Sequence, residues 1–306
     1  MISAVLIRVV RSIVAILIVV TLVFVVVRLT GDPIRSVLPE NTPEDIVQQY
    51  RIKWGLNGSL WQQYVDYIKG LLHGDFGRSY FDDTGALNAV VTRVPATLEL
   101  AVPAFVLSTV AGLGLGITAA VRKGSALDRI ISSGSIAMAA LPGFLLGVVL
   151  MLIFGVKLHW LPTAGNNGLD HLVLPVITMA GTTAGVLARI TRTSMIEALS
   201  LPCLAHARAL HVRRRRRTFA HALPNAALPL ITVLGFELAY LVAGSSIVEV
   251  LFSWPGVGRL FVQASERNDS AVVQCIVVLV TVSVVIVYAL TDVLYRVVDP
   301  RLRRTR

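Results

Sequence analysis

"SIVAILIVVTLVFVVV", residues 12–27, carries no charged side chain. A helix rises 1.5 Å per residue, so about 20 apolar residues cross a hydrocarbon core about 30 Å thick. With its neighbours the run covers roughly 9–28, long enough for one crossing. Its apolar length and the lack of a clear small-residue cleavage site after it argue for a retained span over a cleaved signal peptide.

Five further stretches qualify along the chain: about 96–121, 130–156, 172–190, 226–250 and 271–295. Composition agrees. Of 306 residues 55% are hydrophobic and 15% charged, against about 25% charged in a soluble domain. The expected fold is an all-α integral membrane protein of six transmembrane helices, residues 1–306 forming one transmembrane domain. Pro175 and Pro229 are expected in first helical turns, where a missing N–H costs little. Pro103 and Pro142 lie deeper and are expected to kink their helices. Gly112, Gly114 and Gly116 permit close helix approach.

The formal net charge is +10, from 28 Lys+Arg against 18 Asp+Glu. In a membrane chain the placement of cations matters more than their sum. With a cytoplasmic N-terminus, inner segments hold Arg8, Arg11, Arg122, Lys123, Arg129, Arg192, Arg208, the run Arg213–Arg217, and Arg296, Arg301, Arg303, Arg304 and Arg306. The short outer connections hold only Lys157, Arg259 and Arg267. Both termini are therefore expected in the cytoplasm. The five consecutive arginines fall between spans four and five. Positive-inside placement and contact with anionic lipid headgroups account for much of that run. No aromatic interleaving or nucleic-acid module accompanies it, which argues against a nucleic-acid partner.

Residues 31–95 read as a long extracytoplasmic loop with short helices. Thr42 is placed to cap a helix, Pro43 suits its first position, and Asp45 its first turn. Ser59 and Gln62 have capping-box spacing. Leu60, Trp61, Tyr64, Val65, Ile68, Leu71 and Leu72 then follow a helical stripe, and Gly74 can end it. Such an amphipathic helix is expected on the outer membrane surface or the outer mouth of the bundle. Cys203 and Cys275 belong to no Cys/His cluster and read as small packing residues, so neither metal nor disulfide is expected. No GxxxxGK[ST] phosphate loop, GxSxG or HExxH is present, so the chain reads as non-catalytic.

Seven stretches in order carry a family resemblance: "LLHGDFGRS" (71–79), "RVPATLEL" (93–100), "LPTAG" (161–165), "LPVITMAGTTAGVLARITRTSMIE" (174–197), "HALPNAALPLITVLG" (221–235), "GSSIVEVLFSWPGVGRLF" (244–261) and "DVLYRVVDPRLR" (292–303). Together they resemble the membrane permease subunits of ABC-type importers for peptides and nickel, and most nearly the DppB/OppB half of the paired permeases. The resemblance implies a type I importer permease fold in a prokaryotic inner membrane. It implies a related second permease completing the pore, two ATPase domains docking from the cytoplasm, and an extracytoplasmic solute-binding protein. ATP and Mg²⁺ would be used by the ATPase, with no cofactor held by this chain. Di- or oligopeptides are the implied cargo, with nickel, glutathione, haem or another solute as alternatives.

The resemblance also places an ATPase-coupling loop at 191–225. In "PCLAHARALHV" (202–212), Ala207, Arg208 and Ala209 match the family's Ala-Arg-Ala. Pro202 and Cys203 replace its acidic–aromatic pair, Leu210 its lysine and His211 its glycine. Glycine there supports a turn with unusual φ, which histidine tolerates less easily. Either the turn differs here or the ATPase is adapted to it. Arg213 and Arg214 join the candidate coupling residues, as an electrostatic supplement to docking or as a solvated, lipid-facing cluster. Glu237, near the middle of span five, is costly at bilayer depth unless it faces a polar cavity or a partner. It is assigned to the translocation pathway with Ser245 and Ser246, against the alternative of a buried interhelical hydrogen bond. Glu249 and Glu99 are expected to reach water at outer span ends.

Overall fold

A computed structural model of the chain describes residues 2–29, 34, 38, 39 and 41–298. Arg301, Arg303, Arg304, Arg306 and the end of the motif at 292–303 lie outside the described residues. Among the described residues the secondary structure is helical apart from one isolated bridge pair, Arg78 with Gly85. In order the helices are α1 (Ile2–Leu29), α2 (Glu44–Lys53), α3 (Leu60–Leu72), α4 (Ala86–Val91), α5 (Val94–Val121), α6 (Ala126–Ala140), α7 (Gly143–Leu150), α8 (Asp170–Leu199), α9 (Pro202–Ala209), α10 (Leu223–Gly244), α11 (Ser246–Leu251), α12 (Val257–Glu266) and α13 (Ser270–Val298). A π-helical segment, Met151–Lys157, extends α7. A single turn, Arg214–Arg216, and a second π-helical segment, Arg217–Ala222, lead into α10.

Among the described residues five helices are long and apolar enough to cross a membrane, and the pair α6–α7 with its extension makes a sixth if it counts as one span. That pair is broken rather than kinked. The helix direction changes by 102° between its two arms. Pro142 excludes the α conformation from the residue before it, and Leu141 accordingly sits at φ −76°, ψ 129°. Pro175 and Pro229 are not in first turns. Their helices begin earlier than apolar content alone marks, at Asp170 and at Arg214. Arginine is a good helix former, so Arg214–Arg217 are helical and belong to the fifth crossing, with Arg213 as the extended residue before them. That crossing also ends sooner than expected. Gly244, Ser245 and Ser246 in succession weaken the helix, and α11 starts afresh at Ser246.

The chain forms two compact units, residues 1–97 with 255–285, and residues 98–254 with 286–306. In the first, Ala86, Val90, Ala264, Ala271, Val272, Cys275 and Ile276 make a core from α4, α12 and α13. Above it the buried Ser79 hydroxyl donates to Asp269 Oδ2 at 2.5 Å. Burial pushes the Asp269 carboxyl up from its usual range, and the Ser79 bond only partly offsets this. The α3 cap is as expected. Ser59 Oγ accepts from Gln62 N, and Gln62 Oε1 accepts from Ser59 N at 3.0 Å. Gly74 follows the helix with φ +78°. On α3, Tyr64 and Tyr67 pack on Phe24 of α1, ring centroids 5.3 and 5.7 Å away, and the Tyr64 hydroxyl bonds Thr21 at 2.7 Å. Leu60, Trp61 and Leu72 of the stripe stay exposed. Thr42 does not cap α2. Its hydroxyl donates to Pro39 O at 2.6 Å, and Pro43 holds the cap position.

In the second unit α8 is the central helix, packed by α6, α7 and α10. Glycines let α5 approach it closely. A Cβ on Gly112 would lie 2.8 Å from Leu187 Cβ, and one on Gly116 2.5 Å from Thr191 Cβ. Gly114 points the other way and meets nothing within 4 Å. The i, i+4 pair shares a face and the residue between does not.

Candidate functional site: a short helix on the α8 core and a buried carboxylate

The sequence between α8 and α10 folds as a helix–turn–helix connection with one apolar anchor. Pro202 forces Leu201 into an extended conformation, φ −59°, ψ 141°, which stops α8 and turns the chain. Pro202 then occupies the first position of α9, where its missing N–H costs nothing. Leu204 is the one buried residue of α9. It enters a core with Ala120, Leu187, Met195, Ala198, Ala222, Ala226 and Leu230. Full burial of a leucine is worth about 1.5–3 kcal/mol, enough to seat a helix of eight residues on the unit below.

The end of α9 resolves the question of the missing glycine. Val212 N donates to Ala207 O at 3.0 Å and His211 N to Arg208 O at 3.1 Å. These two bonds are the Schellman closure, which needs a left-handed residue just past the cap. His211 adopts it, with φ +51°. The turn that glycine favours is therefore made by histidine. The outer surface of α9 shows Cys203, Ala205, His206, Arg208 and Ala209, followed by Leu210, which is 65% exposed. Ala207 is half-buried. Cys275 is a packing residue, as expected, but Cys203 is exposed.

The arginine run is divided in its roles. Arg214 Nη2 donates to the carbonyl of Val121, the last residue of α5. An arginine there satisfies an orphan carbonyl and complements the negative end of the helix dipole. Arg213, Arg215 and Arg216 are exposed around an open cleft with Val212, Phe219 and Ala220.

A second ionic contact braces this end of the unit. Arg192 on α8 grips Asp128 on α6 with both arms of its guanidinium, Nε to Oδ1 at 2.6 Å and Nη2 to Oδ2 at 2.9 Å. Gly124 N and the Ser132 hydroxyl donate to the same carboxylate, at 2.9 and 3.2 Å. Ser125 Oγ caps α6 by accepting from Asp128 N at 3.2 Å. The pairing with Arg192, 64 residues away, has no local sequence signal.

Glu237 on α10 is 6% exposed, and neither carboxylate oxygen has a hydrogen-bond partner among the described residues. Two hydroxyls face it, Ser108 from α5 and Thr183 from α8. Because α10 is entered from Arg214, Glu237 lies towards the end of its own helix. It is still level with the middle of α5 and α8, where Ser108 and Thr183 sit. Ser245 is elsewhere engaged, buried and donating to Glu249 Oε1 at 2.8 Å. Ser246 is half-buried. Glu249 does not reach water; it is fully buried, whereas Glu99 is exposed.

Comparison with known proteins gives a consistent answer. Residues 112–304 match the family described as binding-protein-dependent transport system inner membrane component, and residues 1–101 match the N-terminal family of such membrane components. The glutathione transport system permease protein GsiC of Escherichia coli strain K12 is 34% identical over 283 residues, covering 92% of each chain. GsiC of Salmonella typhi is 34% identical over 304 residues, covering 99% of each. Among solved structures, an inward-facing MetNI methionine ABC transporter superposes with a TM-score of 0.58 at 20% identity, over 69% of this chain and 96% of that one. That last likeness concerns the fold, a type I importer permease. Family, relatives, the all-helical fold and the apolar crossings converge: the chain belongs to the binding-protein-dependent inner membrane component family, as a multi-pass permease subunit of a bacterial ABC importer of the DppB/OppB type.

Proposed function

We propose that this permease forms half of a translocation pore for small peptides, glutathione among them, and that α9 is its coupling helix. Six crossings leave both termini in the cytoplasm. A related second permease supplies the other half of the pore. Two ATPase domains bind and hydrolyse MgATP, and this chain performs no catalysis. An extracytoplasmic solute-binding protein delivers the cargo to the side carrying residues 31–95. The peptide class rests on the GsiC relatives, which are glutathione permeases by name. Nucleic acid has no place in this scheme.

The observation that carries the coupling assignment is the build of α9. Leu204 is its one buried residue, a Schellman turn at His211 closes it, and Ala205 and Ala209 leave its outer face low between His206 and Arg208. A short helix on a single anchor transmits a push along its axis into α8 and α10. Its alanines leave room for a partner surface to close around it. Arg208 on that face offers one charge, and Arg213 lies just beyond the turn.

The test is Ala205→Glu in the assembled transporter. Ala205 is exposed, so insertion and folding should be unaffected. The variant is expected to lose the ATPase subunits, or to keep them and lose ligand-stimulated ATP hydrolysis. Normal uptake with normal ATPase retention and stimulation would remove α9 from the coupling role.

A further inference from the structure

Three polar groups, Glu237, Ser108 and Thr183, meet at mid-depth of the second unit, and neither carboxylate oxygen of Glu237 holds a hydrogen bond among the described residues. The ionised Glu237 carboxylate accepts only. The Ser108 hydroxyl spends its proton on Phe105 O of its own helix, at 3.0 Å. The Thr183 hydroxyl spends its proton on its own helix too, on Met179 O at 3.1 Å and Ala180 O at 3.0 Å. A serine or threonine bonded back to its helix keeps lone pairs free to accept. The result is a cluster of acceptors, one formally anionic, drawn from three different helices and facing one another. Buried polar groups are ordinarily paired, and an unpaired carboxylate at bilayer depth is costly enough to mark function by default. No arginine, lysine or histidine among the described residues pairs with Glu237.

We infer that Glu237, Ser108 and Thr183 form a binding site for a primary ammonium group, that of the solute in transit. A primary ammonium brings one positive charge and three N–H donors, which matches an anion and two neutral acceptors group for group. A quaternary ammonium brings the charge without donors. A carboxylate or phosphate would add a fourth acceptor and be repelled. The site rests on the peptide-import reading for its natural ligand, since a peptide amino terminus is such a group, but its chemistry can be probed without any peptide. It also explains why the three residues come from α5, α8 and α10. A ligand held by all three is sensed by the helix that leads directly from the Arg213–Arg217 turn, and by the helix that ends at α9.

The experiment uses the complete transporter, purified with its partner subunits in lipid nanodiscs. Thermal unfolding is followed in methylammonium chloride and in tetramethylammonium chloride at equal ionic strength. Binding to the native state raises the midpoint by mass action. The expected shift is about 2–4 °C in methylammonium, with none in tetramethylammonium. Glu237→Gln puts an amide donor among the acceptors at almost the same shape. It is expected to insert, assemble and show no difference between the two salts. Equal response of the native protein to both salts, no response to either, or an unchanged methylammonium shift in Glu237→Gln would overturn the site. A second arm compares uptake of dialanine with that of N-acetyl-dialanine, each normalised to its affinity for the solute-binding protein. The native transporter should favour the free amine by roughly tenfold, and Glu237→Gln should lose that preference. Uptake of both peptides without preference overturns the site. Uptake of neither overturns the peptide reading alone and leaves the methylammonium comparison as the decisive result.

Discussion

A histidine with φ +51° closes the helix assigned to ATPase coupling. Left-handed backbone costs an ordinary L-residue roughly 1–2 kcal/mol, less for histidine than for β-branched residues. His211→Gly should therefore stabilise the permease by about 0.5–1 kcal/mol, and His211→Val should weaken it by a similar amount, both read from thermal or denaturant unfolding. The family resemblance, with glycine where this chain has His211, marked the position but not how it is met, because side-chain identity states a preference and the Val212–Ala207 bond enforces the outcome. Asp128 poses the opposite case. It is 3% exposed yet close to the rim of its unit. Removing one partner of a deeply buried pair costs about 3–5 kcal/mol. Partial solvation of Arg192 lowers the expected loss in Asp128→Ala to about 2–3 kcal/mol. Arg192→Ala should lose a comparable amount, and the double variant less than the sum, which a double-mutant cycle measures. No local pattern reveals this pair. Arg192 reads as one more inner-side cation until the fold brings Asp128 to it.

At the scale of elements, the long apolar helices were legible because apolar length decides them, and the α3 capping box because its signal is local, whereas the short α4 and α12 were not foreseen. The ends of the long helices were less legible. The arginines that open the fifth crossing look like loop, since polarity hides helix propensity. The break at Pro142 was foreseen only as a kink. The glycines of α5 give a sharp test of packing. Alanine at Gly112 or Gly116 collides with Leu187 or Thr191 on α8, and overpacking of this kind costs about 1–3 kcal/mol. Alanine at Gly114 meets open space and gains up to about 1 kcal/mol of helix propensity. Unfolding midpoints of the three variants should therefore fall, rise and fall along the series 112, 114, 116. Equal effects at all three would mean that α5 does not pack on α8 through this face.

In the whole molecule α9 is proposed to face the cytoplasm and to meet an ATPase there. The distribution of Lys and Arg argues for it, and so does the single-anchor construction of α9. The arginine run contributes on two levels. Arg214 is bound to the end of α5, and Arg213, Arg215 and Arg216 are left exposed, where the proposed orientation would set them against anionic headgroups. Changing Arg215 and Arg216 to alanine should leave the fold intact. If these charges assist docking, ATPase retention should fall at low salt and become less sensitive to added salt, because the exposed charges that salt screens beyond about 8 Å at physiological ionic strength are gone. The most direct measurement uses the native chain. Cys203 is exposed on α9 and Cys275 is buried, so a membrane-impermeant maleimide reports on one site. The expected result is no labelling of intact right-side-out vesicles, labelling of Cys203 in inside-out vesicles stripped of the ATPase, and protection when the ATPase is restored. Labelling of Cys203 from the outer side, or unchanged labelling from the inner side with the ATPase bound, would contradict the account.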